Sequence, residues 1–127
     1  MFAKLELTRM AQAFASHAGE RLGVIAGNVA NADTPGYRTR DIADFSTTFA
    51  DLSEGMRATR PGHIDSKATR PKGESFASGG DGAPNGNDVS LELEMMKTAQ
   101  TRQDHDMALA IYRATSGVIR ASLGSRG

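Results

Sequence analysis

The side chains that could do chemistry are few, and the three histidines come first. His17, His63 and His105 are scattered along the 127 residues, and His105 stands between Asp104 and Asp106. These are metal-ligating residue types, but the segment reads as helix, where adjacent side chains point about 100° apart. Three successive helical side chains cannot converge on one ion. We therefore expect a solvated polar face at this triplet and no metal site.

A second candidate is a calcium-binding loop between Asp81 and Glu92. Together with Asn85 and Gly86, these residues match part of the EF-hand pattern. Two other positions that supply oxygen ligands in that pattern hold apolar residues, and no helix is predicted before the loop. The alternative is a turn that leads into the N-terminus of a helix, and we favour it.

The charge balance and the motifs argue against further classes of function. The chain has 15 Lys and Arg against 15 Asp and Glu, so it lacks the basic excess of a nucleic-acid-binding protein. It has no Cys, which excludes disulfides and thiolate chemistry. No phosphate-binding glycine loop or catalytic serine motif occurs. We expect no cofactor, no small-molecule substrate and no enzymatic activity.

Large apolar residues are sparse in this chain, and alanine is the commonest residue. Alanine buries little apolar surface. At about 25 cal/mol per Å² of buried apolar area, such a core is marginal for an isolated chain. We therefore expect the protein to complete its core with other chains.

Residues 2–32 are predicted to form the first of two long helices. One stripe of the helix follows three- and four-residue spacing and comprises Leu7, Met10, Phe14, Ala18, Leu22, Ile25, Val29 and Ala32. A second stripe has a small residue every four positions: Ala11, Ala15, Gly19, Gly23 and Gly27. Each Gly costs up to about 1 kcal/mol of helix propensity relative to Ala, but a row of small residues lets another backbone approach closely. We favour a contact surface for neighbouring helices over the alternative, three unrelated glycines in a frayed helix.

The first helix must end where the chain reverses. Pro35 cannot continue a helix and also moves Thr34 away from helical geometry. Pro35 and Gly36 are typical of the centre of a type II turn, in which Gly36 supplies the positive φ. Asn31 or Asp33 can stop the helix, because both side chains bond nearby backbone groups.

A loop-rich middle is expected from residue 33 to residue 87, and it could include short β pieces. Apolar residues become sparse there, although those between 42 and 49 could form one or two helical turns. Residues 59–64 read as an extended piece with a turn. Residues 72–87 hold many glycines and read as a flexible loop.

Residues 88–123 are predicted to form the second long helix, with Asp88 or Asn87 as its N-cap. The expected heptad seam comprises Leu93, Met96, Gln100, Gln103, Met107, Ala110, Ala114, Gly117 and Ala121. Two helices of similar length from opposite ends of the chain can pair antiparallel. The predicted fold is therefore mainly α: one domain over residues 1–127, built as an antiparallel helical hairpin.

The turn region carries a family likeness. It reads Asn28-Val29-Ala30-Asn31-Ala32-Asp33-Thr34-Pro35-Gly36-Tyr37. With its flanks, residues 25–38, it resembles the N-terminal signature of bacterial flagellar rod, hook and hook-associated proteins. Residues 40–45, 59–64 and 85–94, and the short middle, are similar to the proximal rod (FlgB) family in particular. The chain departs from the family at Thr101 and His105, where Asn and Tyr often stand.

The resemblance implies a structural subunit of the flagellar basal-body rod. Members of the family are exported unfolded through the flagellar type III apparatus without a cleaved signal, and their paired terminal helices pack into a helical tube. The implied partners are copies of the chain, other rod proteins, basal-body ring and export-gate adaptor proteins, and the export apparatus itself. The implied location is the basal body, in the periplasmic space. The alternative function is a soluble helical adaptor or export-chaperone-like binding module.

Residues expected at contacts between subunits come from the first helix, the turn and the second helix. They are Phe14, Gly19, Leu22, Gly23, Ile25, Gly27, Asn28, Asn31, Pro35, Gly36, Tyr37, Leu93, Met96, Met107, Ala110 and Ala114. For Asn28 and Asn31 two roles stay open. Either both bond backbone groups of the turn or of a neighbour, or Asn31 alone caps the helix.

Overall fold

Two long helices dominate the structure, a computed structural model that describes residues 2–53, 75–79 and 82–124. The order of elements is α1 (Phe2–Ala30), β1 (Arg40–Ile42), α2 (Phe45–Ser53), β2 (Ser75–Ala77) and α3 (Leu91–Gly124). Helix α1 packs along α3. The predicted mainly α fold, with long terminal helices and a loop-rich middle, is confirmed.

The two helices meet along seams that repeat every seven residues. The buried residues of these seams are Ala11, Ala18 and Ile25 on α1, and Glu94, Thr101, Ala108 and Thr115 on α3. Asn28, near the end of α1, contacts Glu94, near the start of α3, so the pair is antiparallel. Because most of these side chains are small, the seam lets the helices approach closely but buries little apolar area.

The seam predicted on α3 is wrong as the contact with α1. Leu93, Met96 and Met107 of that stripe are exposed by 55%, 69% and 49%, and its Gln, Ala and Gly members are exposed as well. The buried stripe instead starts at Glu94. The error came from counting apolar residues, because three of the four buried seam residues on α3 are polar.

Helix α1 ends at Ala30, two residues before the predicted end, and the predicted turn follows it. The Tyr37 backbone N–H donates to the Thr34 carbonyl at 3.2 Å around Pro35 and Gly36. Gly36 has φ of 74°, as the third residue of a type II turn requires. The Asn31 side chain donates to the Gly27 carbonyl at 2.8 Å and so caps the last turn.

Helix α3 begins three residues later than predicted, and the predicted N-caps are wrong. The Ser90 carbonyl accepts the first helical bond from the Glu94 backbone at 3.0 Å, which places Ser90 at the N-cap. Asp88 instead accepts hydrogen bonds from Thr39, and Asn87 turns back towards the end of α1. Both side chains tie the connection to the rest of the fold.

Short strands and a short helix form the described part of the middle. β1 and β2 pair antiparallel, with Arg40 opposite Ala77 and Ile42 opposite Ser75. The helical turns expected between 42 and 49 are α2, except that Ile42 belongs to β1. Phe45 of α2 stacks on Phe14 of α1, with ring centroids 4.9 Å apart.

The expectation for residues 59–64 lies outside the described residues. Residues 82–87 form neither helix nor strand, as the predicted loop over 72–87 requires, and backbone hydrogen bonds close a turn there. Within the same predicted loop, Ser75–Ala77 is instead strand β2. Ala83 N–H donates to the Asn87 carbonyl at 2.8 Å, and Gly86 N–H donates to the Ala83 carbonyl at 2.8 Å. This connection packs against the turn after α1.

Candidate functional site: a polar junction between the helices

The residues that join the end of α1, strand β1 and the start of α3 form a polar cluster, which we call the junction. Its members are Arg21, Asn28, Tyr37, Thr39, Arg40, Asp41, Asn87, Asp88, Glu94 and Lys97. Their hydrogen bonds and ion pairs connect segments far apart in the sequence.

Asn28 is at the centre of the junction and has no solvent exposure. Its amide donates to the Arg40 carbonyl at 2.7 Å and to Glu94 Oε2 at 2.9 Å. Its Oδ1 accepts from the Arg40 N–H at 3.0 Å and from the Tyr37 hydroxyl at 3.2 Å. Both donors and both lone pairs of the amide are used. The Asn28 amide therefore pairs with both backbone groups of Arg40 in β1, as a neighbouring strand would. It also binds the Glu94 carboxylate of α3.

Glu94 is a buried carboxylate, 1% exposed, on the first turn of α3. Besides the bond from Asn28, its Oε1 accepts a hydrogen bond from Lys97 Nζ at 3.1 Å. Lys97 also lies 3.6 Å from Asp41 Oδ2. The ammonium group thus bridges the carboxylates of α3 and β1, which offsets the cost of burying them.

Asp41 of β1 is paired with α1 through Arg21, whose guanidinium Nε and terminal nitrogen donate to the two carboxylate oxygens at 3.1 and 3.2 Å. Burial alone would raise the pKa of Asp41. The Arg21 hydrogen bond outweighs it, together with the Ile42 N–H and the charges of Arg21 and Lys97, so the pKa is lowered. The same hydrogen bond raises the pKa of Arg21. Because the guanidinium binds both carboxylate oxygens, the pair fixes the orientation of the Asp41 side chain as well as attracting it.

Asn87 fastens the connection before α3 to the turn after α1. Its amide nitrogen lies 2.9, 2.8 and 2.8 Å from the carbonyl oxygens of Asn31, Ala32 and Thr34. Its Oδ1 accepts from the Val89 N–H at 2.8 Å. One buried side chain therefore ties the connection to the turn after α1. Two of its three acceptors, the Asn31 and Thr34 carbonyls, also accept backbone N–H groups within that turn.

Asp88 fastens the same connection to the residues before β1. Its Oδ1 accepts from the Thr39 N–H at 2.5 Å and from the Thr39 hydroxyl at 2.8 Å, and Arg38 lies 3.3 Å from Oδ2. The Thr39 backbone bond is the largest cause of a lowered pKa for Asp88; the Thr39 hydroxyl and Arg38 act in the same direction against burial.

The buried polar side chains of the junction all have hydrogen-bond partners within the chain. Among the described residues, the one buried side-chain polar atom without a hydrogen-bond partner is Thr101 Oγ1, and it lies in the helix seam. No group of three or more His, Cys, Asp or Glu in the described ranges could hold a metal ion. The polar groups are therefore used to fix geometry, and the arrangement suits a structural role.

The predicted contact residues fall into three groups by exposure. Ile25 and Asn28 are buried within the chain, while Phe14, Leu22, Gly27, Asn31 and Tyr37 are partly buried. The exposed ones are Gly19, Gly23, Pro35, Gly36, Leu93, Met96, Met107, Ala110 and Ala114. A role in subunit contacts stays a prediction for all of them.

The glycine row on α1 has no packing role within the described chain. A Cβ added at Gly19 or Gly23 would meet no heavy atom within 4 Å, and one at Gly27 would meet only the Tyr37 hydroxyl at 4.0 Å. The helix thus carries a propensity cost of about 1 kcal/mol per glycine without a compensating contact in the chain.

Large apolar side chains are exposed on α3. Met95 and Met96 are 71% and 69% exposed, and Leu123 is 65% exposed. Large apolar side chains exposed to this degree are candidates for contacts with other chains. None of the helices in the described ranges is long and apolar enough to cross a membrane.

Sequence reasoning missed most of the charged junction. The apolar and small-residue patterns assign no contact to Glu94, Arg21, Asp41 or Lys97. A usable signal existed, since Glu94 is seven residues before Thr101 and heptad spacing extends to Ala108. This spacing was overlooked because a helix seam is normally identified from apolar residues.

Comparison with known proteins identifies the family. A family model described as "Flagella basal body rod protein" matches residues 15–38. The chain is similar to flagellar basal body rod protein FlgB of Escherichia coli, 30% identical over 82% of this chain and 80% of the relative. It is 31% identical to that of Cereibacter sphaeroides over 82% and 84%, and 27% identical to that of Agrobacterium fabrum over 87% of both. The chain therefore belongs to the FlgB family of flagellar basal body rod proteins.

Proposed function

We propose that the chain is a non-enzymatic subunit that assembles with copies of itself and with other rod proteins into the helical shaft that transmits torque. The observation that carries this proposal is the outer surface of the hairpin. One helix exposes glycines that serve no packing role in the chain, and the other exposes large apolar side chains. Both features are explained if neighbouring helices cover them.

The assembly would take place in the periplasmic space, after export through the flagellar type III apparatus without a cleaved signal. Basal-body ring and export-gate adaptor proteins would be further partners. The weak seam supports this route, because small seam residues keep the cost of unfolding low. Contacts made on assembly would then stabilise the folded form by mass action.

Substitution at Gly23 tests the proposal, because it separates folding from assembly. A side chain at position 23 points into open space, so Gly23→Leu should leave the isolated chain folded and slightly more stable, by up to about 1 kcal/mol of helix propensity. In the assembled rod the same side chain would obstruct a close helix contact. We expect cells with this variant to lose motility and to lack complete rods in electron micrographs.

Ser46→Leu is the matched control, since it places the same side chain at an exposed helical position of α2. It should leave motility unchanged. Full motility of Gly23→Leu cells would contradict the assembly model. It would favour the helical adaptor or export-chaperone-like module, which would act as a discrete small oligomer.

A further inference from the structure

Asn85-Gly86 is the one Asn-Gly pair in the sequence, and it lies in the connection that closes the junction. The Asn85 side chain is exposed. Gly86 has φ of 81°, and its missing Cβ leaves its backbone nitrogen open to the preceding side chain. We propose that this pair is a deamidation site that the folded junction protects, and that its isoaspartate product prevents the junction from closing again.

The reaction needs only the chain and water. The Gly86 backbone nitrogen loses its proton and attacks Asn85 Cγ, so that a carbon–nitrogen bond forms and the side-chain amide leaves as ammonia. The product is a five-membered succinimide. Water then opens one of its two carbonyls and yields either aspartate or isoaspartate, in which the backbone runs through the side-chain methylene.

In the folded chain, both reacting groups, the Gly86 N–H and the Asn85 side chain, are held by hydrogen bonds. The Gly86 N–H donates to the Ala83 carbonyl at 2.8 Å, so its proton is held. The Asn85 Oδ1 accepts from the Asn87 N–H at 3.1 Å, which fixes the side chain that must rotate to be attacked. The Asn85 carbonyl accepts from the Gly36 N–H at 3.0 Å. Local opening must precede the reaction, so the rate should follow the population of the open form.

The product would damage the element on which the junction depends. The Ala83 N–H reaches the Asn87 carbonyl at 2.8 Å across this pair, and a Cβ on Gly86 would come within 3.3 Å of Gly36 Cα. The space is thus already tight. An extra methylene in the backbone would displace the Asn87 amide from its carbonyl acceptors in the turn after α1.

The first test compares deamidation rates in the full chain. It is incubated in neutral buffer and in concentrated urea, digested, and analysed by tandem mass spectrometry for the mass gain at Asn85. We expect the rate in buffer to be lower by about tenfold or more, because opening must come first. Equal rates would overturn the proposal. Isomerisation at Asp81-Gly82 would not interfere, since it changes no mass.

The second test separates the altered backbone from the added charge. Chains that carry isoaspartate at position 85 are purified after the urea incubation and refolded beside Asn85→Asp, which has the same charge and a normal backbone. We expect the isoaspartate chain to unfold at lower urea concentration than Asn85→Asp. Coincident unfolding curves would show that the backbone at this position does not matter, and would overturn the second half of the proposal.

Discussion

Replacement of Asn28 by Asp tests whether the junction holds the hairpin together. The change keeps the shape of the side chain but converts its two amide donors into a carboxylate oxygen. That oxygen would face the Arg40 carbonyl and Glu94 Oε2, which lie 2.7 and 2.9 Å from the present nitrogen. Two favourable contacts therefore become repulsive ones in a site without solvent exposure.

The expected cost is large for a chain of this size. At 2.9 Å, two carboxylate charges repel by about 6 kcal/mol at an effective dielectric constant of about 20. Native proteins are typically stable by about 5 to 15 kcal/mol. Asn28→Ala should cost less, about 3 kcal/mol, because it leaves buried partners unsatisfied but adds no charge.

The pH dependence identifies the cause. Two carboxylates this close bind a shared proton more readily than either would alone, because protonation removes the repulsion. The free-energy difference between Asn28→Asp and the wild type should therefore shrink from about pH 7 to about pH 5. Asn28→Ala has no such group, and its cost should not change over this range. Urea unfolding followed by far-UV circular dichroism measures both.

Asn31→Asp provides the matched control. Asn31 lies one turn further along, is partly exposed, and donates to the Gly27 carbonyl at 2.8 Å. A carboxylate there loses one hydrogen bond and faces the negative end of α1, for a cost of about 1 kcal/mol. Equal destabilisation by Asn28→Asp and Asn31→Asp, or a cost of Asn28→Asp that stays constant with pH, would refute the reasoning.

Three further predictions concern the seam, the turns and the ion pair. Thr101→Val should raise the melting temperature by removing a buried hydroxyl without a partner, a gain of about 1 kcal/mol. Gly86→Ala should lower urea resistance more than Gly36→Ala, because both have positive φ but only position 86 also brings Cβ within 3.3 Å of backbone. The pKa of Asp41 is lower in the folded chain. Its carboxylate therefore stabilises the fold above its ordinary pKa of about 3.9, and this contribution is lost as pH falls through the lower folded value. Asp41→Asn should flatten the acid limb of the stability curve below about pH 4.

The local signals in the sequence were sufficient for the two long helices and the short helix between them, but they did not locate strands β1 and β2. Pro35 and Gly36 specify a turn through φ restrictions that no distant contact can override, and the turn is where it was predicted. The lengths of α1 and α3 follow from the sparse breakers within them. Antiparallel pairing follows from two long helices joined by a middle that cannot form a core of its own.

The identity of the contact face could not be predicted in this way. Apolar periodicity locates the buried side of a helix only when the apolar residues are those that pack inside the same chain. Met96 and Met107 are apolar but face outward, whereas Glu94 and Thr101 are polar and buried. The burial of Glu94 depends on Asn28 and Lys97, which lie on another element and another turn and leave no periodic signal. Thr101 is buried although its hydroxyl has no hydrogen-bond partner, so its burial leaves no such signal either.

The placement of the polar contacts explains how a weakly packed hairpin can still have one register. Asn28, Asp41 and Lys97 make their contacts at the turn end, and each would lose a geometrically defined partner if one helix slid along the other. Towards the free ends the seam holds Ala11, Ala108 and Thr115, whose small side chains tolerate sliding and bury little area. Register is therefore set at one end of the hairpin, where the turn signature also lies. Because the small seam residues at the other end bury little area, contacts made in the proposed assembly would contribute a larger share of the stability there than at the junction.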